Sequence, residues 1–105
     1  MAETVIGKGI IIDGEISGSE PVVVEGTVKG RISLESTVVV ASGAVVEADV
    51  LSDEVEVSGQ VTGNITARER AEIKTDGRMV GDIKAPRILI ADGAGFKGHI
   101  DMDVD

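Results

Sequence analysis

Val55-Glu56-Val57-Ser58-Gly59-Gln60-Val61-Thr62-Gly63-Asn64-Ile65-Thr66-Ala67 alternates without a break. Its odd-numbered positions are apolar or glycine, and its even-numbered positions, Glu56 to Thr66, are all polar. Successive side chains of an extended chain point to opposite faces, so strict alternation predicts a strand with one dry face. The spacing is two throughout, not the alternation of three and four that a helix requires. Thirteen residues is long for a single strand, and Gly59 and Gly63 stand on the apolar parity. Glycine inside a strand marks a bend or a close backbone approach. The stretch therefore reads as two or three short strands joined at corners, with one face inward throughout.

The same phrase recurs along the chain. Val22, Val24, Gly26, Val28, Gly30, Ile32 and Leu34 repeat it, with Glu25, Thr27, Lys29, Arg31 and Ser33 facing out. Ala71 and Ile73 open a copy that continues through Gly77, Met79, Gly81, Ile83 and Ala85. Val38, Val40, Ala44, Val46, Ala48 and Val50 form a looser copy, and Ile88, Ile90, Ala94, Phe96, Gly98 and Ile100 its twin. Ile10, Ile12, Gly14, Ile16 and Gly18 read as a shortened first copy.

The opening residues fall at 22, 38, 55, 71 and 88, so each copy begins sixteen or seventeen positions after the last. Self-similarity at a fixed period signals a solenoid, in which each repeat buries its apolar face only against its neighbours. This period fits one turn of a parallel β-helix and is too short for a helix pair. The expected fold is all-β, a single-domain parallel β-solenoid of about six coils. Its lumen is assigned to Val22, Val24, Val28, Ile32, Val38, Val40, Val46, Val55, Val57, Val61, Ile65, Ile73, Met79 and Ile83.

Composition agrees. The chain has 105 residues, enough for one domain, and its only aromatic residue is Phe96. Globular cores usually draw much of their buried area from aromatic rings, whereas a narrow solenoid lumen is filled by stacked aliphatic residues. Cysteine is absent, which excludes a disulfide framework and thiol chemistry and suits a cytoplasmic protein. Neither a signal peptide nor a membrane-spanning run is visible.

The net charge of −9 opposes nucleic-acid binding, which needs a positive footprint. Residues 1–66 carry eleven acids and three bases, whereas residues 67–105 carry eight acids and seven bases. Arg68, Arg70, Lys74, Arg78, Lys84 and Arg87 cluster in the fifth coil and its flanks. That cluster reads first as a salt-bridged surface, and second as one pole of a charge asymmetry guiding contacts between molecules.

In chain order, residues 1–3 are a stub, residues 4–102 the solenoid, and residues 103–105 an acidic stub. Thr4-Val5-Ile6-Gly7-Lys8-Gly9 is expected to lead into the first coil. Pro21 and Pro86 each precede a strand, where a missing N–H is tolerable. Turns are expected at Asp53-Glu54 and at Arg68-Glu69-Arg70, and the sixth coil should close near Met102.

Several motifs suggest chemistry and are set aside. Gly93-Ala94-Gly95-Phe96-Lys97-Gly98 matches the dinucleotide fingerprint, but the chain ends seven residues later, leaving no room for the helix that receives the phosphates. Asp101, Asp103 and Asp105 resemble the start of a calcium loop that lacks its glycine and its final glutamate. His99, the only histidine, faces outward beside Lys97 and Asp101 without a triad partner. Asn64-Ile65-Thr66 is a glycosylation sequon only in a secreted eukaryotic chain. No catalytic, cofactor-binding or metal-binding residue is assigned.

The ends of the stack are the candidate functional surface. A terminal rung leaves N–H and C=O groups unpaired and lumen side chains facing water, which makes it a template for pairing. No capping helix follows the sixth coil in this sequence. Phe96, Ile88, Ile90 and Ile100 are assigned to a C-terminal contact, and Ile10, Ile12 and Ile16 to an N-terminal one.

The series TVIGKG, IDGEISG, VEGTVKGRI, VSGQVTGNI, DGRMVGDI and ILIADGAGFKGHI resembles the bactofilin family of bacterial polymer-forming proteins, over about residues 4–102. That resemblance implies a right-handed β-helix of six coils that polymerises end to end, without nucleotide, into cytoskeletal filaments. It also implies roles in cell shape and in positioning cell-wall enzymes or other proteins, in the bacterial cytoplasm or at the inner face of the membrane. Bactofilins often carry a short N-terminal membrane-binding segment before the TVIG-like start. Only Met1-Ala2-Glu3 precede it here, so this chain either does not use that anchor or is a trimmed core.

Two other classes compete. A monomeric β-helical binding or capping module would share the fold without the polymer. A hexapeptide-repeat acyltransferase finds support in Val22, Val28, Leu34, Val40 and Val46, spaced six apart. That register fails at Ser52, and coils of the observed length do not hold three hexapeptides. A polysaccharide lyase would need a longer chain with aromatic and basic clefts.

Overall fold

The computed structural model describes residues 4–101, and every regular element among them is a β-strand. The strands are β1 Thr4–Ile6, β2 Ile11–Gly18, β3 Val22–Val24, β4 Thr27–Leu34, β5 Thr37–Val40, β6 Val45–Val57, β7 Gln60–Ile73, β8 Arg78–Lys84, β9 Ile88–Ile90 and β10 Gly95–Asp101. All pairings between them are parallel. Each coil opens on a short extended segment: β1, β3, β5, the end of β6, the end of β7, or β9. It then turns a corner onto a longer one, and the result is a solenoid of about six turns.

The longer segment contains a corner of its own. Gly14, Gly30, Gly63, Gly81 and Gly98 stack above one another with φ of 150°, 120°, 133°, 132° and 140°, a region that a residue with a Cβ rarely enters. Space forbids a side chain as firmly as conformation does, since a Cβ on Gly81 would lie 1.9 Å from the Gly63 carbonyl oxygen. Coil three departs from this column. Ala48 pairs with Gly30 but takes no positive φ, and the pairing of β6 with β7 lapses between Glu47↔Thr62 and Val50↔Ile65. An alanine cannot follow its glycine neighbours, so the ladder gives way locally.

Alternation converts this stack into a dry interior of four largely aliphatic columns. Register sets Thr4, Val22, Val38, Val55, Ala71 and Ile88 in the first column, and Ile6, Val24, Val40, Val57, Ile73 and Ile90 in the second. The third is Ile12, Val28, Val46, Val61, Met79 and Phe96, and the fourth Ile16, Ile32, Val50, Ile65, Ile83 and Ile100. Each residue assigned to the lumen from sequence, Val22 through Ile83, is at most 3% exposed. Burying such a side chain contributes about 1.5–3 kcal/mol. No single coil offsets its backbone entropy, roughly 1–2 kcal/mol per residue, so the columns must form together. Beside them, Leu34 pairs with Gly18, and the hydroxyl of the fully buried Ser52 donates to the Glu54 carbonyl at 3.0 Å.

Three expectations change. Thr4–Ile6 is not a lead-in but the first strand of coil one, paired with Val22–Val24, and Ile6 is only 5% exposed. The first copy is thus complete, its opening residue lying one full turn before Val22. The anticipated turns at Asp53-Glu54 and Arg68-Glu69-Arg70 lie inside β6 and β7, which run through this corner as continuous strands. Neighbouring coils keep the backbone hydrogen-bonded there: the Asp53 N–H donates to Ser36 O at 3.0 Å, and a bulge between Ser52 and Glu54 absorbs the bend. The expected closure near Met102 and the stubs at 1–3 and 103–105 lie outside the described residues.

Much of the basic cluster is neutralised along this edge. Arg68 pairs with Asp53 at 2.8 Å and donates across two coils to the Leu34 carbonyl at 3.1 Å. Arg70 reaches Glu54 at 3.1 Å and Glu72 at 3.9 Å, and Lys74 reaches Glu56 at 3.3 Å. Bases of coils four and five thereby face acids of coils three to five.

Candidate functional site

The lumen columns run to both ends of the described stack, and among the described residues they lose their cover at coil six. Ile73 and Ile83 are 1% exposed in coil five, yet Ile90 and Ile100, directly above them, are 43% and 42% exposed. Phe96 stands on Met79 and Ile88 on Ala71. Both are partly buried against the core below, and no further rung covers them among the described residues. The first turn places Ile12 over Val28 and Ile16 over Ile32, each partly buried. Ile10 is 49% exposed at the first corner. It overlies Gly26, where a Cβ would meet the Ile10 carbonyl oxygen at 2.4 Å.

Backbone groups are open as well as side chains. Among the described residues, β9 and β10 pair only with β7 and β8, and β1 and β2 only with β3 and β4. Among the described residues each end therefore joins apolar side chains to a strand edge without a ladder partner on its outer side. A second such rung matches that combination better than any small solute. The sequence placed Phe96, Ile88, Ile90 and Ile100 together at one end and Ile10, Ile12 and Ile16 at the other, and the geometry assembles both groups. It adds the strand Thr4–Ile6 to the first rung, which the sequence reading missed, although Ile6 itself is only 5% exposed and belongs to the core. The signal was the match of Thr4-Val5-Ile6 to Val22-Val23-Val24, concealed because coil one is longer than the repeat that follows it.

The remaining motifs find structural places. Gly93 to Gly98 do not form a phosphate loop: the Ala94 N–H donates to Ala91 O at 3.1 Å and the Gly95 N–H to Gly77 O at 3.0 Å. Gly95, Phe96, Lys97 and Gly98 belong to β10. Amides spent on the ladder cannot cradle an anion. His99 is outward-facing, its side chain 92% exposed and its Nδ1 3.8 Å from Asp82 Oδ1. Asp103 and Asp105 lie outside the described residues. No described helix is long and apolar enough to cross a membrane.

Residues 4–101 match the family model of the bactofilins, described as polymer-forming cytoskeletal. The chain belongs to the bactofilin family. It is 62% identical over 104 residues to bactofilin BacO of Myxococcus xanthus, covering 99% of this chain and 82% of that one. Bactofilin BacP of the same organism is 48% identical over 99 residues, which span 94% of this chain and 41% of BacP. Among solved structures, a cryo-EM reconstruction of Thermus thermophilus bactofilin double helical filaments superposes with a TM-score of 0.87 at 26% identity, covering 92% of this chain and 96% of that one. The bactofilin BacA structure from solid-state NMR superposes with a TM-score of 0.84 at 26% identity, covering 93% of each chain. As a bactofilin, the chain is a polymer-forming cytoskeletal protein that associates with itself.

Proposed function

We propose that this bactofilin polymerises end to end, without nucleotide, through the apolar discs at the two ends of the solenoid. Ile88, Ile90, Phe96 and Ile100 form the contact surface of coil six, and Ile10, Ile12 and Ile16 that of coil one. The carrying observation is the jump in exposure along single columns, from 1% at Ile73 and Ile83 to 43% and 42% at Ile90 and Ile100. Joining two ends continues the columns and satisfies both edges, which gains hydrophobic and hydrogen-bond free energy in one step. The filament serves as a cytoplasmic scaffold, without catalysis of its own, that supports cell shape and positions cell-wall enzymes or other proteins.

Negative-stain microscopy of the purified chain in nucleotide-free buffer tests the reading. Filaments are expected, and discrete monomers would overturn it in favour of a monomeric binding module. Phe96→Arg should abolish filaments through charge repulsion and desolvation at the end, while the circular-dichroism spectrum stays β-rich because five coils keep their own core. Filaments of normal length from that variant would place the contact elsewhere, and a wholly unfolded variant would make Phe96 simply part of the core.

A further inference from the structure

The outward side of the short strands is divided between two chemistries. Register aligns Val5, Val23, Val39, Glu56, Glu72 and Leu89 in one outward column. Over coils one to three this face presents Val5, Val23 and Val39 beside Gly7, Pro21, Thr37 and Ala41, with Glu25 as its one charge among the described residues. Val5 is 51% exposed, and Val23 and Val39 are half-buried beside it. Over coils four and five the same face carries Glu54, Glu56, Arg70, Glu72 and Lys74, linked to one another by ion pairs at 3.1 to 3.9 Å. Each of these charges has an ion-pair partner within the chain. The valine half carries no such pairing among the described residues.

We infer that the Val5–Val23–Val39 ladder is a lateral docking surface for a second copy of this chain, joining two filament strands side by side. This rests on the polymer reading above. Three observations favour a second copy. The Thermus thermophilus relative forms double helical filaments, so a lateral partner exists for a bactofilin of this fold. The ladder is also too small to hold free subunits together. Three rungs about 4.8 Å apart on a three-residue strand give roughly 140 Å², against about 800 Å² per partner in a stable complex. Repeated once per subunit along a polymer, the same patch acts multivalently and pairs strands that single subunits could not. Finally, the charged half sets the register: a valine half apposed to Glu56 and Glu72 would desolvate carboxylates, so valine meets valine in a self-complementary contact.

The Val23→Glu/Val39→Glu double variant tests this in the full chain. The fold should tolerate it, because Glu56 and Glu72 already occupy the same column two coils further on. Thermal melting by circular dichroism checks that point. Mass per unit length by scanning transmission microscopy is the readout, expected to fall two-fold from paired wild-type strands to single strands of unchanged subunit spacing. If the double glutamate variant unfolds, the isosteric Val23→Thr/Val39→Thr variant takes its place and must likewise lose pairing. Wild-type strands that are already single, or variant strands that remain paired, overturn the ladder while leaving end-to-end assembly intact. Paired variant strands that no longer sediment with phosphatidylglycerol–phosphatidylethanolamine vesicles would assign the valines to a membrane, and so overturn it too. Absence of wild-type filaments overturns the polymer reading together with this one.

Discussion

Gly81→Ala tests whether the glycine column is a requirement of the fold. Gly81 has φ of 132°, and holding an alanine in so sparsely populated a region costs about 1–3 kcal/mol. Its Cβ would also lie 1.9 Å from the oxygen and 2.8 Å from the carbon of the Gly63 carbonyl. That contact is with backbone pinned by its own ladder, so relief requires moving a coil, at a cost of about 1–3 kcal/mol by analogy with overpacked cores. Reduced freedom of the unfolded chain returns about 0.4–1 kcal/mol. The net destabilisation is about 1–5.5 kcal/mol, and at roughly 4–8 °C per kcal/mol for a domain of this size the melting temperature should fall by at least about 4 °C. Melting the Phe96→Arg background by circular dichroism removes the stabilising effect of assembly from the measurement. Gly18→Ala is the matched control. Its Cβ would meet only Leu34 Cδ2, at 3.8 Å, so that variant should melt at or slightly above the parent. A Gly81→Ala protein melting with the parent would refute the argument, because coil five would then have adopted the backbone of Ala48. That escape should be closed. Ala48 tolerates a lapse in pairing on one side, whereas Gly81 is held in unbroken register with both Gly63 and Gly98.

Val61→Asp places an unpaired carboxylate between Val46 and Met79 in a lumen where Val61 is 0% exposed, and we expect unfolding or aggregation. Thr62→Asp, one residue on and outward-facing, should be tolerated, and equal melting temperatures for the two would disprove the inward parity. Arg68→Ala removes both the Leu34 carbonyl contact and the Asp53 ion pair. Because its side chain is 44% exposed, the loss should be only about 1–2 kcal/mol, read as a modest drop in melting temperature.

The inward columns were legible without coordinates because two regularities coincide. Side chains alternate with a period of two, and the coils repeat at a nearly constant interval, so Val61 and its stacked neighbours are marked twice over. The exposure of Ile90 and Ile100 followed from the same reading, since each column loses its cover at the last described rung. The N-terminal strand was not legible. Thr4-Val5-Ile6 is too short to declare itself and becomes a strand only when Val22–Val24 offers hydrogen bonds.

Tertiary structure also decided the corners. Asp53-Glu54 and Arg68-Glu69-Arg70 have turn-like composition, yet β6 and β7 pass straight through them because the neighbouring coils supply the backbone partners. The reach of Arg68 to Leu34, 34 residues away, exists only in the wound chain. So does the outward ladder, whose valines at 5, 23 and 39 are separated by unequal intervals and meet only once the coils are in register. Parity is a local property of an extended backbone and is therefore written in the sequence. Pairing at corners and alignment across coils depend on which rung lies next to which, and only the assembled stack determines that.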